Sequence, residues 1–280
     1  MNNRGLRRKL IAAGIPALAG YAIFYVYPFF KTLRYSMVDS TFRENFVFLD
    51  NYAALIKNQY FLMALKNTFL FSITGVAAIM SLSLALSFRI SRLGDRSAAI
   101  RNLLLLPMLL PTASIVLVWR AAFQNDFYTN LLRSSPAAGI WTVLPVFLIF
   151  IWKNTGLNVL ILCAAISGIP REVREAAALD GATGARLHRR VTLPLISPCL
   201  LFVVVLSFVN TLKCYRESYL FFRTNYPPNA AYTVQYYMNN QFSKLNYPAL
   251  TVASIIFAAI VVVIILLMYV AETRFNEKTN

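Results

Sequence analysis

The sequence predicts an all-α, polytopic membrane protein with six transmembrane helices and a hydrophilic loop between the fourth and the fifth. Three observations support this fold class. Hydrophobic residues make up 58% of the chain and charged residues 14%, and the mean hydropathy of +0.58 is too high for a soluble domain. Uncharged runs of about twenty residues, the length of a membrane-spanning helix, recur along the chain. Between two of these runs lies a polar stretch rich in alanine and arginine.

These runs, uncharged except for Lys153 in the fourth, define the predicted spans, which together form one transmembrane domain over residues 1–280. The spans lie near residues 10–30, 67–88, 102–119, 140–169, 198–212 and 249–269. The third contains Pro107 and Pro111, which free backbone carbonyls and are expected to bend the helix. Such a bend serves either packing geometry or a transport pathway, and we favour packing geometry. The fourth is longer than a single crossing requires.

Basic residues are concentrated in three segments: before the first span, after the second and after the fourth. They are Arg4, Arg7, Arg8 and Lys9, then Arg89, Arg92, Arg96 and Arg101, then Arg171, Arg174, Arg186, Arg189 and Arg190. The positive-inside rule assigns these segments to the cytoplasmic side, so both termini are predicted to be cytoplasmic. Loops of this kind also account for the net charge of +16, and we therefore predict no nucleic-acid partner.

Several classes of chemistry have no residues to carry them. The sequence has no Gly-x-x-x-x-Gly-Lys-Ser/Thr phosphate cradle, so the chain is not predicted to bind ATP in the P-loop manner. His188 is the only histidine, and the three cysteines have neither metal nor disulfide spacing. We find no nucleophile with a base at a plausible spacing. The sequence therefore predicts a membrane protein without catalytic residues, cofactor or metal.

The polar stretch, residues 170–197, is predicted to be a helix-turn-helix that is too polar to enter the bilayer. Pro170 suits the first turn of a helix, because its fixed φ is helical and its missing N–H is not needed there. Asp180-Gly181 is a turn dipeptide, and Thr183 can cap the amides of a second short helix. Leu193-Pro194 is expected to end the unit. We call residues 170–197 the coupling segment below.

The spacing of Glu175-Ala176-Ala177, Gly181, Val191 and Leu193-Pro194 resembles the cytoplasmic coupling-loop motif of ABC importer permeases. In that family the loop docks into a cleft of the ATP-hydrolysing subunit and transmits its closure to the membrane spans. His188 occupies a position that is usually an aromatic residue. The resemblance implies a set of ATPase-coupling residues: Glu175, Ala176, Ala177, Asp180, Gly181, His188, Leu193 and Pro194.

A second motif, Asn51-Tyr52 followed by Asn67-Thr68, is similar to the approach to the second span in sugar-type permeases. The resemblance implies a sugar or oligosaccharide as cargo and a multi-pass location in a bacterial or archaeal cytoplasmic membrane. It also implies four kinds of partner: two ATP-binding subunits, a second related permease that completes a heterodimeric pore, an extracytoplasmic solute-binding protein, and the sugar itself.

The fourth span contains Lys153 in the middle of an apolar run. A lysine near the bilayer centre costs about 2.5 to 3.5 kcal/mol, so it should face water, a partner or a substrate. The alternative is that Lys153 reaches the outer interface beside Trp152. The resemblance implies that Lys153, Asn154 and Leu157 line the translocation pathway.

The fifth span carries a polar stripe at helical spacing, formed by Ser207, Asn210, Thr211 and Cys214. Such a stripe either bonds to a neighbouring helix or lines a polar cavity. The resemblance implies the cavity. The following sequence Tyr215-Arg216-Glu217 departs from the family pattern, so the sequence gives little guidance on the particular cargo. The Tyr-rich outer segment 219–247 suits an interfacial aromatic belt, sugar stacking or docking of the binding protein.

Two other classes of function compete with this interpretation. An ion-coupled secondary transporter of a small polar solute would use intramembrane acids, and Glu217 is the only carboxylate near the interior of a span. A membrane-embedded enzyme would need clustered His, Asp or Glu side chains at one interface. We favour the importer permease because the coupling-segment pattern is the most specific feature of the sequence.

Overall fold

The computed structural model describes residues 14–93, 97–123 and 138–279. Within these ranges the secondary structure is helical, apart from an isolated antiparallel bridge between Val38 and Phe46. The helices, in chain order, are α1 (residues 14–35), α2 (Asp50–Ile56), α3 (Gln59–Ile90), α4 (Ser97–Leu109), α5 (Thr112–Phe123), α6 (Ala138–Ser167), α7 (Arg171–Leu179), α8 (residues 184–195), α9 (Ser197–Leu212), α10 (Tyr215–Phe222), α11 (Val234–Ser243) and α12 (Tyr247–Thr279). Residues 1–13, with the basic residues before the first predicted span, lie outside the described ranges, as does Arg96.

Four helical stretches of the described chain are long and apolar enough to cross a membrane: Gln59–Ile90, Gly139–Ser167, Ser197–Phe222 and Tyr247–Arg274. They overlap the second, fourth, fifth and sixth predicted spans. A fifth is obtained if the bent pair Ala98–Leu109 and Thr112–Phe123 is counted as one span. The all-helical, polytopic fold class is confirmed, whereas the number of six spans stays a prediction.

The third predicted span, residues 102–119, is two helices and not one. Helix α4 ends at Leu109, α5 begins at Thr112, and the two are bent by 90°. Pro111 lies at the break, where it has no N–H to donate and disfavours a helical conformation of Leu110 before it. The carbonyl of Pro111 accepts a bond of 3.2 Å from the amide of Ile115, which starts the new helix.

The chain divides into two compact units. One comprises the segment that ends at Leu62 together with Met238–Ala259. The other comprises Met63–Tyr237 together with the segment that begins at Ile260, and it contains the coupling segment and all the predicted pathway residues.

The second unit is held together by apolar clusters between α3, α6 and α9. In one cluster, side chains from the end of α6 and from α9 pack against Met80, Leu84 and Phe88 of α3; its buried members are Leu162, Ile166, Ile169, Ile196 and Val203. A second cluster joins Ile79, Val146, Phe150 and Cys214. Because lipid is as apolar as these side chains, the attraction between the helices in a bilayer comes from close van der Waals packing and not from the hydrophobic effect.

Candidate functional site

The coupling segment folds as a helix, a tight turn and a second helix. Helix α7 starts after Pro170, whose φ of −53° and ψ of 144° place it just outside the helix. At the other end Gly181 has φ +78°, the amide of Gly181 bonds to Ala178 O at 3.0 Å, and the amide of Ala182 bonds to Ala177 O at 2.9 Å. This pair of bonds is a Schellman C-cap, which needs a residue in the left-handed region, and glycine adopts that region at little cost. The turn predicted at Asp180-Gly181 is present.

One face of this unit is open to solvent. Residues 171–176 are exposed, Ala177 is buried, and Leu179 has 90% of its surface exposed. Glu175 is also exposed, and its Oε1 accepts a 2.6 Å bond from Nε of Arg171 one turn earlier. An exposed apolar side chain beside charged ones, on a helix with three consecutive alanines, is a surface on which another protein can approach closely.

The second helix of the unit differs from the prediction at Thr183. Thr183 lies at the N-cap position, but its side chain makes no cap hydrogen bond. Instead its carbonyl accepts from the amide of Arg186 at 3.2 Å, and Gly184 has φ +56°. Because Gly184 is in the left-handed conformation, the backbone changes direction directly after Thr183, and the Thr183 side chain does not reach the first amides of the helix.

The unit also continues beyond Leu193-Pro194. A π-turn at His188–Thr192 precedes Leu193–Leu195, and the chain breaks only at Ile196. Pro194 cannot donate the hydrogen bond of a regular α-helix, and the widened turn before it changes the register so that helical backbone can continue. Leu193 and Pro194 are half-buried.

His188 points back to its own bundle. Its ring stacks on Phe88 with centroids 4.1 Å apart and an interplanar angle of 21°. Nε2 lies 2.8 Å from Nη2 of Arg92, and Nδ1 lies 3.5 Å from Oγ1 of Thr192. Because arginine only donates, Nε2 must accept, and the histidine in this geometry is neutral. This contact ties the coupling segment to the end of α3, in addition to its covalent links to α6 and α9.

The contact predicts a pH dependence of stability. Burial, and then the charge of Arg92, lower the pKa of His188 below the ordinary value of 6.5. The folded state therefore resists protonation of His188. The contribution of neutral His188 to the free energy of unfolding is complete above pH 6.5, and it declines as the pH falls through the lowered pKa. We expect the melting temperature of the wild-type protein to fall between pH 7.5 and 5.5 more than that of His188→Phe, which keeps the stack on Phe88. His188 is the only histidine, and identical pH profiles of the two proteins would contradict the assignment.

Lys153 of α6 is paired inside the bundle. Its Nζ lies 2.6 Å from Oε1 of Glu217 in α10 and donates a 2.7 Å bond to Oγ1 of Thr112, the first residue of α5. The Lys153 and Glu217 side chains are only 18% and 11% exposed. The structure therefore does not support the alternative in which Lys153 extends to an interface beside Trp152. Trp152 instead lies near Trp119, with ring centroids 6.1 Å apart.

The polar stripe of α9 is used mainly for bonds between helices. Oγ of Ser207 accepts a 2.7 Å bond from Nδ2 of Asn158 in α6, and Oγ1 of Thr211 donates a 2.7 Å bond to Oγ of Ser72 in α3. Cys214 is buried in an apolar cluster. Asn210 is half-buried, and it is the stripe member that remains available to a pathway.

The remaining predicted pathway residues lie on α6. Asn154 is half-buried and donates from Nδ2 to Phe150 O at 2.8 Å, which leaves its side-chain oxygen open. Leu157 is half-buried as well. Asn154, Leu157 and Asn210 therefore fit a pathway lining better than Ser207, Thr211 and Cys214 do. Their role stays a prediction.

A cavity lined by both apolar and polar side chains lies near the ends of α3, α6 and α9. The polar side chains that line it are Asn67, Thr68, Thr211, Ser218, Thr233 and Gln235. Asn67 donates from Nδ2 to the carbonyls of Asn229 and Tyr232 at 2.6 and 2.9 Å, and Oγ1 of Thr68 accepts from the amide of Val234 at 3.0 Å. The Asn67-Thr68 pair of the sequence motif thus fixes the segment between α10 and α11.

Within residues 14–93, 97–123 and 138–279, no group of three His, Cys, Asp or Glu side chains is arranged to hold a metal ion.

Residues 77–279 match the family model described as a binding-protein-dependent transport system inner membrane component. The chain belongs to this family. It is a permease subunit of an ABC importer, located in the inner membrane as a multi-pass protein, and it is not an enzyme. The predicted membership of the ABC importer permease family is confirmed.

Curated relatives of this permease cover most of its length. It is 26% identical over 277 residues to the lactose transport system permease protein LacF of Rhizobium radiobacter, with 92% of each chain covered. It is 32% identical over 209 residues to the sn-glycerol-3-phosphate transport system permease protein UgpA of Yersinia enterocolitica, with 70% of each chain covered. A bacterial alginate ABC transporter, solved with an alginate pentasaccharide-bound periplasmic protein, has a chain of the same fold, with a TM-score of 0.80, 21% identity and coverage of 98% and 97%.

Sequence reasoning missed three features of the permease. Phe88 and Arg92 lie far from His188 in the chain, and nothing in either local pattern pairs them. The role of Gly156 as a helix contact is not predictable, because a single glycine inside an apolar helix has no distinctive sequence signal. An added Cβ at Gly156 would lie 1.8 Å from the carbonyl oxygen of Leu104 in α4, so the glycine is the contact point of two helices.

Proposed function

We propose that this permease forms half of the translocation pathway of an ATP-driven importer for a sugar or oligosaccharide. In this proposal a separate ATP-binding subunit binds the coupling segment. The observation that supports the proposal is the combination of an exposed surface with fixed ends. Glu175 and Leu179 are exposed on the helix of the segment, while both ends of the segment are buried in the bundle.

The anchoring of the segment supports a mechanical role. Ile169 before α7 and Ile196 after α8 are buried in the same cluster as Leu162, which packs against α3. Because packed interiors deform little, a force applied to α7 would move α3, α6 and α9 together. Closure of the ATP-binding subunits would then change the accessibility of a pathway between those helices. The contact of His188 with Phe88 and Arg92 adds a third attachment.

The proposed assembly contains two ATP-binding subunits, a second related permease that completes a heterodimeric pore, and an extracytoplasmic solute-binding protein. Both termini of this chain would be cytoplasmic. The names of the relatives support the class of cargo, since LacF belongs to a lactose transport system, and AraP of Bacillus subtilis, 26% identical over 253 residues, belongs to one for arabinooligosaccharides. ATP would be bound by the partner subunits.

The testing experiment combines Glu175→Ala with Gly181→Ala in the complete transporter reconstituted in liposomes. The double variant should fold, because both positions are exposed and Gly181 has open space around it, but its sugar uptake should fall at least about tenfold while ATP hydrolysis ceases to respond to the binding protein. A loss of about 1.4 kcal/mol of coupling free energy would suffice for a tenfold effect. Uptake is measured across a panel of labelled mono- and oligosaccharides.

The matched control is Gly184→Ala, which places a side chain at φ +56° in open space, as Gly181→Ala does at φ +78°. The control carries the same type of backbone strain and should retain uptake. Undiminished uptake by the double variant would rule out coupling through this surface.

A further inference from the structure

Three exposed basic side chains lie along α9 and α10. These two helices together form the apolar stretch Ser197–Phe222, which is long enough to cross a membrane. Lys213 and Arg216 lie within this stretch, Arg223 directly follows it, and all three are exposed. In the predicted topology α9 begins on the cytoplasmic side, after the coupling segment, so the three residues lie toward the outer side.

The three residues share one side of the helix, because their spacing matches its period. Arg216 follows Lys213 by three residues and Arg223 follows Arg216 by seven, and both intervals return to nearly the same side of an α-helix. Between α9 and α10 the backbone stays close to helical, with φ −83° and ψ −6° at Lys213 and φ −67° and ψ −1° at Cys214. The three residues therefore form one continuous face of about 15 Å, at 1.5 Å per residue, which we call the basic face.

The basic face continues the candidate pathway lining of α9. Asn210, three residues before Lys213, is half-buried, whereas Thr211 and Cys214 are buried in the bundle. Asn210 thus lies at the edge between the packed side of the helix and its exposed side. A solute that contacts Asn210 would meet Lys213 one turn further toward the outer end.

The charge of the basic face is not neutralised within the described part of the chain. None of its three side chains forms an ion pair with a described residue. Glu217 follows Arg216 in the chain, but its carboxylate accepts a 2.6 Å bond from Nζ of Lys153 in the bundle. Glu217 is also the only acidic residue of the sequence between Asp180 and Glu272. The basic face therefore keeps its positive field.

The position of these charges indicates a function on the outer side. A basic side chain exposed to hydrocarbon is costly, and such residues in membrane-spanning segments generally face a water-filled cavity or a partner and mark substrate pathways. A long side chain can extend to the headgroups instead. The positive-inside rule, however, disfavours basic residues near the outer ends of spans. Three of them on one face are better explained by a ligand than by an anchor.

We propose that the basic face selects an anionic cargo, by binding the carboxylate or phosphate group of an acidic sugar as the sugar enters the pathway beside Asn210. This assignment rests on the proposed function and adds the charge class of the sugar. Arginine pairs with carboxylate and phosphate through two parallel N–H bonds, and lysine acts as a point charge. Arginine and lysine side chains that line a pore favour anions, and unneutralised charge in a cleft raises the local concentration of oppositely charged solutes.

The first test measures ATP-dependent uptake by the complete transporter in liposomes with its binding protein. The probes are pairs of labelled sugars that differ in charge: galacturonate against galactose, cellobiuronate against cellobiose, and glucose phosphate against glucose. The wild type should take up an acidic member of the panel. Lys213→Gln combined with Arg216→Gln should lower that uptake at least about tenfold at low sugar concentration, through a higher KM. Wild-type uptake should weaken as the ionic strength rises.

Two variants serve as controls for the uptake measurement. Lys213→Arg combined with Arg216→Lys keeps both charges and should retain most of the uptake. Lys244→Gln removes an exposed lysine that follows α11, outside the basic face, and should match the wild type. A wild type that imports neutral sugars and no acidic one would overturn the proposal. So would a double glutamine variant that loses the neutral and the acidic member of a pair equally, because the two residues would then be structural.

A second measurement does not depend on the identity of the cargo. Asn210→Cys is placed in the transporter in lipid nanodiscs, and its reactions with an anionic and a cationic methanethiosulfonate are followed during ATP hydrolysis. The three native cysteines supply the background, measured without the added thiol. Relative to a free thiol in solution, the anionic reagent should react faster than the cationic one. The ratio of the two rates should fall at least about tenfold when Lys213 and Arg216 are replaced by glutamine.

An added thiol at position 210 that reacts with neither reagent would place this side of α9 against lipid or a partner subunit. An unchanged ratio of rates in the double glutamine variant would show that the basic face does not act on the pathway. Either result overturns the proposal. Failure of the proposed function looks different, because the wild type would then take up no sugar of the panel in an ATP-dependent manner, while the thiol reactions would still report the field of the basic face.

Discussion

Gly156→Ala is expected to prevent correct packing of the membrane bundle. The added methyl group would lie 1.8 Å from the carbonyl oxygen and 2.5 Å from the carbonyl carbon of Leu104, and both atoms belong to backbone that a rotamer change cannot move. Helices α4 and α6 would have to separate. Small residues at such contacts are what allow helices to approach closely in a bilayer, where packing is a main source of their attraction.

The expected cost is roughly 3 kcal/mol or more, at the upper end of overpacking effects. It should appear as a loss of monodisperse protein in size-exclusion chromatography and a strongly lowered melting temperature of what remains. Two other glycines make a graded control. Gly75→Ala meets ring and methyl atoms at 3.3 and 3.4 Å, and among the described residues Gly139→Ala meets only Ala230, at 3.5 Å, so the first should be mild and the second neutral. Equal melting temperatures for Gly156→Ala and Gly139→Ala would refute the close contact.

The sequence was sufficient for features that depend on local chemistry. The turn at Asp180-Gly181 follows from the need for a left-handed residue at a helix end. The missing amide of Pro111 predicts a bend in the third span, but not that the span separates into two helices. The resemblance at Asn51-Tyr52 and Asn67-Thr68 also identified residues that fix loops in the structure. Their hydrogen bonds to the backbone, however, had no signal in the sequence.

The side-chain contacts that the sequence could not predict are those that depend on which helices pack together. A polar stripe predicts that Ser207 and Thr211 need partners, but Asn158 and Ser72 become those partners only through the packing of α6 and α3 on α9. The same holds for His188. In the family its position is usually an aromatic residue that contacts the ATP-hydrolysing subunit, whereas here Phe88 and Arg92 hold the ring against the bundle. Periodicity identifies the face of a helix, and tertiary packing decides what covers it.

Lys153→Met is expected to destabilise the bundle by roughly 3 to 5 kcal/mol, because it leaves Glu217 charged, mostly buried and without its partner. The loss should lower the melting temperature and reduce the yield of folded protein. Glu217→Met should have a comparable effect, since the hydroxyl of Thr112, at 2.7 Å, would be the one hydrogen-bond acceptor left to the ammonium of Lys153 among the described residues. Because the pair joins α6, α10 and the start of α5, either loss also frees the helix that follows the break at Pro111.

The double variant Lys153→Met, Glu217→Met separates the two roles that Lys153 could have. Replacing a buried ion pair by apolar side chains of similar volume is often nearly neutral, so the double variant should regain most of the stability that each single variant loses. Additive losses in this double-mutant cycle would show that the two charges do not act as a pair. If Lys153 only positions α10 and α5, sugar uptake returns with stability. If it also contacts cargo, as the resemblance implies, the double variant is stable but its uptake stays low, and that combination would assign Lys153 to the translocation pathway.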